Sequence, residues 1–586
     1  MNVFKRIFEV LDPKEKLHFF YIFVLILLMT ALETFSVGLV LPTIKFLVSD
    51  NFASQVINFF KSSFSIDVNQ QDVSTYGLLF ILIFFIFKFF FVAITIYRQL
   101  IYLFNILVNK CSYLYAGYIF MDYEKYTRTN SSILVRNVSL LVDRFNATLQ
   151  SCFIILTDCT LFLSIFILLL YFDWKSTLAI SSIFTLISLI YYFGTKRKFI
   201  DWGTQSAKYE GLKFKFLYEG LSSMKDIKIS NKLDFFLKNY SKNVSAHGML
   251  TVKKTFLKAL PKQTFEILAV LALVVLGLVF VSSSKSLDEF LPLAGVFAVS
   301  AFKILPAGNR ILFAFQNLMF DLTSIKILHE EIHKNKPNEK YLDHNKDDNT
   351  LKFDHEIKIS NVSFSYQNNN RKILEDISLN IKKDSTVGII GKSGSGKSTL
   401  MDIMIGLLNP TSGTVYCDSV NVQNDIFSWY DKIGYVPQSI YLMDDTILKN
   451  IAFGINEEDI DIIRVKECIK LSRLDDVVFN NELGLNTVVG EKGIRLSGGQ
   501  IQRIGIARAL YKKPEILFFD ESTSSLDMKT EDEIMNSVNE LLTGITKIII
   551  THRITTLKEC DIIYHIENLK ILNSGKYDQM SKIKYN

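Results

Sequence analysis

Leu496-Ser497-Gly498-Gly499-Gln500 is the stretch that decides the fold of this chain. Upstream lies the glycine-rich run Gly391-Lys392-Ser393-Gly394-Ser395-Gly396-Lys397-Ser398. Downstream, Glu515-Ile516-Leu517-Phe518-Phe519 reads as a buried strand ending in Asp520-Glu521. Thr386-Val387-Gly388-Ile389-Ile390 is a second buried strand, leading straight into the glycine-rich run, and Ser398-Thr399-Leu400-Met401 opens a helix. A phosphate-binding loop needs this strand–loop–helix setting, because backbone N–H groups of the turn and of the helix N-terminus must face the anion. Lys397 would neutralise β- and γ-phosphate charge, and the Ser398 hydroxyl would ligate Mg²⁺. Asp520 would hold the same ion through water, and Glu521 would orient or deprotonate an attacking water. Ile548-Ile549-Ile550-Thr551-His552 is a third such strand, with a histidine at its end within reach of a γ-phosphate.

Composition divides the 586 residues into unlike halves. Hydrophobic residues make up 49% and charged residues 21%, with a mean hydropathy of +0.23. The apolar excess is concentrated before about residue 325, so more than one domain is expected. A net charge of +6 is small for this length and gives no support to a nucleic-acid partner. Cys111, Cys152, Cys159, Cys417, Cys468 and Cys560 show no paired spacing, which argues against a disulfide framework or a zinc site. No cleavable signal peptide is evident in the mixed-charge N-terminus.

Long apolar runs recur at 17–48, 76–108, 150–172, 174–195, 264–283 and 288–320. Most reach the ~20 residues that a helix needs to cross hydrocarbon, and none alternates as a barrel strand would. Six membrane-spanning helices are therefore expected. Lysines and arginines cluster at the N-terminus and in the second and fourth connections, whereas the first connection, 49–75, carries only Lys61 against three aspartates. This asymmetry puts both termini in the cytoplasm. The two large cytoplasmic connections look like helical extensions with a turn at each tip, near 127–133 and 214–228. Residues 51–66 read either as an amphipathic helix on the outer face or as a loop packed on the helix ends. The expected organisation is a membrane domain over 1–328, a polar linker over 329–352, and a soluble domain over 353–586.

The signature stretch, the phosphate loop and the Ile516–Glu521 strand together resemble the ABC (ATP-binding cassette) superfamily over 355–575. The resemblance implies an α-helical, type IV exporter membrane domain followed by an α/β ABC ATPase domain that uses ATP and Mg²⁺. It implies that Gly391, Ser393, Gly394, Ser395, Gly396, Lys397, Ser398 and Thr399 hold the nucleotide, with Tyr366 stacked on the adenine. Gln438 resembles the Q-loop glutamine that senses the γ-phosphate and sits beside the metal, His552 the switch histidine, and Ser525-Leu526-Asp527 the D-loop. Val489-Gly490-Glu491-Lys492-Gly493 resembles the exporter segment that contacts cytoplasmic loop tips. Ser497, Gly498, Gly499 and Gln500 would complete a nucleotide site on the opposite subunit. One chain carries one phosphate loop and one signature, so a half-transporter is implied. Its intact motifs favour a homodimer over a heterodimer.

Cargo must be read from the membrane half. Lys88 lies midway along the second expected span, Lys303 and Arg310 share a face of the sixth, and Lys262 stands at the inner end of the fifth. Together they form a basic ladder suited to a phosphate or pyrophosphate head group. The other reading is that Lys88 and Lys262 pair with Glu33 and Glu266 or snorkel. Glu33-Thr34-Phe35, Leu305-Pro306-Ala307-Gly308-Asn309-Arg310 and the outer segment resemble the bacterial flippases of lipid-linked oligosaccharides, the PglK type. That resemblance implies a polyprenyl-pyrophosphate oligosaccharide carried across a bacterial inner membrane. A lipid A, multidrug or peptide exporter is the alternative.

Overall fold

The structure is a computed structural model that describes residues 2–48, 54–55, 70–172, 174–282, 287–337, 351–366, 372–479, 482–521 and 544–582. It separates into one unit of Met1–Met121 with Thr129–Tyr341 and another of Asp122–Arg128 with Leu342–Asn586. Most of the 51–66 segment, and Asp527, lie outside the described residues.

The first unit is helical. After a short helix, Asn2–Val10, come Pro13–Gly38, Val40–Val48, Gln70–Ile119, Val142–Phe172, Trp174–Ser222, Leu233–Ser282 and Leu287–Lys334. A helix over Ser131–Arg136 and a π-turn over Asn137–Leu141 lead into Val142–Phe172. The expected spans fall on these helices. Among the described residues, Pro13–Ile44, Thr75–Ile119, Ser131–Phe172 and Gly295–Lys334 are long and apolar enough to cross a membrane. Gln70–Ile119 has 50 residues and is about 75 Å long at helical rise, more than twice a hydrocarbon core. Its apolar side chains are largely exposed, as lipid-facing side chains are in a single chain.

Ion pairs tie the helical extensions together. Lys110, 3% exposed, meets Asp12 at 2.8 Å and Glu15 at 2.9 Å, which joins the start of Pro13–Gly38 to Gln70–Ile119. Arg144 bridges Glu210 at 2.8 Å and Asp321 at 3.3 Å. Buried charges of this kind hold only when paired, so each bridge fixes which helix faces meet. The last helix continues to Lys334, beyond residue 328. Leu351 and Phe353 are buried with the second unit's core.

That second unit is α/β. Its strands are β1 (Glu356–Ser365), β2 (Lys372–Lys382), β3 (Thr386–Ile390), β4 (Ser412–Cys417), β5 (Val420–Asn421), β6 (Ile433–Val436), β7 (Ile516–Asp520), β8 (Thr546–Thr551), β9 (Ile562–Glu567) and β10 (Lys570–Gly575). An antiparallel sheet runs β2-β1-β4-β5, and a larger sheet runs β10-β9-β3-β8-β7-β6. From β9 to β6 the larger sheet is parallel. Its strands are apolar on both faces because both faces are covered. Ile516, Phe518, Ile548 and Ile550 enter one core, and Leu517, Phe519 and Ile549 enter the other. Parallel pairing with Ile390 opposite Thr551 and Asp520 opposite Ile550 brings the ends of β3, β7 and β8 to one edge. In open α/β sheets that edge is where ligands bind.

Candidate functional site

The glycine-rich loop follows β3 at this edge, and the helix Lys397–Ile405 follows the loop. Gly394 and Gly396 have φ of 78° and 98°, a left-handed backbone that an L side chain resists. Gly391 has no room for a Cβ, which would fall 2.3 Å from the Ile566 carbonyl oxygen. The Lys397 side chain turns back to donate to the Gly391 and Lys392 carbonyls, each at 2.8 Å. Burial pushes its ammonium below the usual lysine range, against the pull of Glu521 and Asp520. Ser398 and half-buried Thr399 begin the helix, and Ser393 lies exposed on the loop.

Asp520 ends β7. Burial and the neighbouring Glu521 push its carboxyl up to about 6, opposed by Lys397 and by a hydrogen bond with Ser398. Its Oδ1 and the Ser395 Oγ are buried without hydrogen-bond partners among the described residues. Such orphaned oxygens at a phosphate loop fit a divalent cation and a phosphate. Glu521 leaves the strand with φ of 45°, a sparsely populated conformation for a side-chain-bearing residue, while its N–H stays bonded to the Ile550 carbonyl at 2.9 Å. Gln438 Nε2 donates to Glu521 Oε2 at 2.9 Å, and His552 Nδ1 lies 3.7 Å from Glu521 Oε1. The three residues expected to do chemistry therefore meet at one carboxylate.

The signature stretch caps the helix Gly498–Tyr511. Ser497 Oγ accepts from the Gln500 N–H at 3.3 Å, and the Gln500 side chain accepts from the Ser497 N–H at 2.8 Å. This reciprocal capping box satisfies donors that a helix start leaves unpaired. Ser497 and Gly498 are exposed, Gly499 and Gln500 half-buried, and Ile494 beside them is 83% exposed. The signature thus presents an open face.

Two further residues emerge only from the structure. Tyr366 packs edge-on against Phe364 at 4.9 Å, and the Arg128 guanidinium stands 5.3 Å from the Tyr366 ring centre. Arg128 ends the short helix Tyr123–Arg128, which groups with the α/β unit and begins ahead of the expected 127–133 tip. Asp402, in the helix after the phosphate loop, is pushed up to about 6 by burial and by Asp520.

In the helical unit a cavity of about 470 Å³ is lined by Glu33, Asp158, Lys303 and Arg310, by the polar Gln99, Gln150 and Thr157, and otherwise by apolar side chains. Lys303 meets Glu33 at 2.9 Å, and Lys88 reaches the same oxygen at 3.3 Å. Arg310 holds Asp158 through two hydrogen bonds of 2.8 and 2.5 Å. The structure thus brings together Lys88, Lys303 and Arg310 of the expected ladder, each on a carboxylate. Lys262 is exposed on Leu233–Ser282 and does not line the cavity.

Comparison with known proteins agrees with this geometry. Residues 374–524 match the family model described as "ABC transporter". The chain is 35% identical over 297 residues to an export ATP-binding/permease protein of Rickettsia typhi, a match covering 50% of this chain and 48% of that protein. It is 27% identical over 465 residues to an ATP-dependent lipid A-core flippase of Ralstonia nicotianae, covering 78% of this chain and 76% of that one. The chain spans about half the length, or less, of the first curated relatives it matches. The structure of a bacterial Atm1-family ABC exporter with ATP bound superposes with a TM-score of 0.76 at 19% identity, over 97% of each chain. The chain therefore has the ABC exporter fold, an apolar helical membrane domain followed by an ABC ATPase domain.

Proposed function

We propose that this chain is half of an ATP-driven exporter whose cargo is a phosphorylated glycolipid. In its finest form the cargo is a polyprenyl-pyrophosphate-linked oligosaccharide moved from the inner to the outer leaflet of a bacterial inner membrane. The observation that carries the ATPase part is the meeting of Gln438, Glu521 and His552 at the sheet edge beside Lys397. Water held by Glu521 attacks the γ-phosphorus, the bond to the β-phosphate oxygen breaks, and the water proton passes to the Glu521 carboxylate. His552 and Lys397 stabilise charge on the departing phosphate, and Gln438 positions Glu521. Ser398, Asp520 and Gln438 would hold Mg²⁺, which when bound neutralises the β- and γ-oxygens.

The open signature face favours two copies of the chain, each completing the other's nucleotide site. The lysine and arginine asymmetry favours cytoplasmic termini and ATPase domains. The cavity supports the cargo class, because intramembrane cations beside apolar walls suit a phosphorylated head on a lipid tail. Lipid A-core is the second reading, favoured by the similarity to the Ralstonia flippase. Both lipids carry phosphate on sugar or isoprenoid, so the cavity chemistry serves either. The test is ATP turnover in nanodiscs containing undecaprenyl-pyrophosphate glycan, lipid A-core, or a neutral glycolipid. Stimulation by a phosphorylated glycolipid and none by the neutral one is expected. Equal stimulation by all three would sink the reading.

A further inference from the structure

The charges lining the membrane cavity are paired unevenly. Asp158 is 3% exposed and Arg310 is 51% exposed, although the two share a bidentate bond. Glu33 is likewise less exposed than Lys303, and buried Lys88 reaches the same Glu33 oxygen at 3.3 Å while also donating to Ser36 at 3.2 Å. Each carboxylate is therefore more buried than Lys303 or Arg310, and these two cations stay partly exposed. The four elements involved are Pro13–Gly38, Gln70–Ile119, Val142–Phe172 and Leu287–Lys334. Lys88, Lys303 and Arg310 against Glu33 and Asp158 leave one formal positive charge, fewer than a pyrophosphate requires.

Resting on the cargo reading above, we infer that Glu33 and Asp158 are internal counter-ions that a phosphate head group displaces from Lys303 and Arg310. The reason is electrostatic. Cations left bare within a membrane are costly, so in the empty cavity the carboxylates must hold them. A pyrophosphate offers the same bidentate geometry to Arg310 that Asp158 offers. On arrival the head group takes over Lys303 and Arg310, and the freed carboxylates then repel it. Affinity is lowered, but the lipid can leave once the helices rearrange, because Glu33 and Asp158 recapture their partners. The two acids are positioning residues that set head-group affinity and release. No bond is made or broken in this exchange.

The experiment uses the full chain in phosphatidylcholine nanodiscs with undecaprenyl pyrophosphate or undecaprenyl monophosphate as probe. It reads the half-saturating lipid concentration and the maximal stimulation of ATP turnover. Asp158→Asn and Glu33→Gln are expected to lower half-saturation for the pyrophosphate by about ten-fold and to lower the maximum, since a competitor for the cations is gone. Asp158→Glu is expected to restore the wild-type value, which a merely steric role for the carboxyl would not predict. Lys303→Gln and Arg310→Gln are expected to raise half-saturation. Melting temperature checks folding, and the Glu33 variant carries the test alone if Asp158→Asn fails to fold. Half-saturation unchanged or raised in both acid variants, with the cation variants still weakened, overturns the counter-ion role and leaves the cargo reading intact. A wild type that hydrolyses ATP yet ignores both undecaprenyl phosphates overturns the polyprenyl-pyrophosphate form of the cargo reading, and the counter-ion role argued from it.

Discussion

Gln438 donates its side-chain amide to Glu521 across 2.9 Å, linking the loop after β6 to the carboxylate after β7. The bond is possible because β6 and β7 are parallel neighbours whose ends lie at one edge. It ties the proposed water-activating group to a residue three positions past Tyr435, on the loop that leaves β6. Glu521→Gln keeps the shape but removes the proton acceptor. Steady-state ATP turnover is expected to fall at least about 100-fold, as loss of a general base does, while ATP binding by equilibrium dialysis is retained. Near-normal hydrolysis would remove Glu521 from its role.

Ser497 serves the helix before it serves any nucleotide. Its capping box with Gln500 predicts that Ser497→Ala costs about 1 kcal/mol. In a domain of this size that lowers the melting temperature by roughly 2–4 °C, and Ser497→Asp restores most of it. Nucleotide-free thermal unfolding reads the cap alone. An unchanged transition would mean that the box contributes nothing.

Two-copy nucleotide sites make a complementation prediction. A Lys397→Ala chain and a Gly499→Asp chain are each expected to be inactive. Mixed before assembly, they form dimers in which one site takes Lys397 and the signature from intact halves. Recovered ATP turnover in the tagged mixed dimer is the expected result. No recovery, in a mixture shown by double-affinity purification to contain mixed dimers, argues that the sites are not shared.

Asp402 predicts a pH effect. Its carboxyl is raised by burial and by Asp520 to about 6, so the folded protein binds that proton more tightly than the unfolded chain does. Stability therefore falls as pH rises from the ordinary carboxyl range through about 6, and the loss is complete above it. With nucleotide and metal removed, Asp402→Asn is expected to melt higher than wild type at neutral pH and to lose the advantage near pH ~4. Parallel melting curves across that range would show that Asp402 is not the source.

What the sequence made legible was contiguous. The phosphate loop, the Ile516–Glu521 strand and the signature declare themselves because each is one short run whose neighbours are set by local geometry. The catalytic meeting point was legible too, since parallel strands bring their ends together. The cavity was half legible. Lys88, Lys303 and Arg310 stood out as charges in apolar runs, and so did Glu33 as a partner for Lys88. The Lys303–Glu33 and Arg310–Asp158 pairs join distant helices and are tertiary facts. Asp158 carries a signal of its own in the sequence, being the one charged residue between Ser151 and Phe172. A lone acid inside a span is costly without a partner, so it points to one. Arg128 carried no such signal, because an arginine on a short connecting helix is ordinary until Tyr366 is seen beside it.

ATP-dependent movement of lipid between leaflets is the activity proposed for this chain, and it can be measured directly. Purified chain is placed in sealed proteoliposomes with fluorescent undecaprenyl-pyrophosphate glycan or lipid A-core, and head groups remaining on the ATP-facing leaflet are scored by membrane-impermeant quenching. Loss of one phosphorylated glycolipid from that leaflet is expected with ATP, and none with the Glu521→Gln chain. Steady ATP hydrolysis with both lipids left in place would contradict the proposed activity.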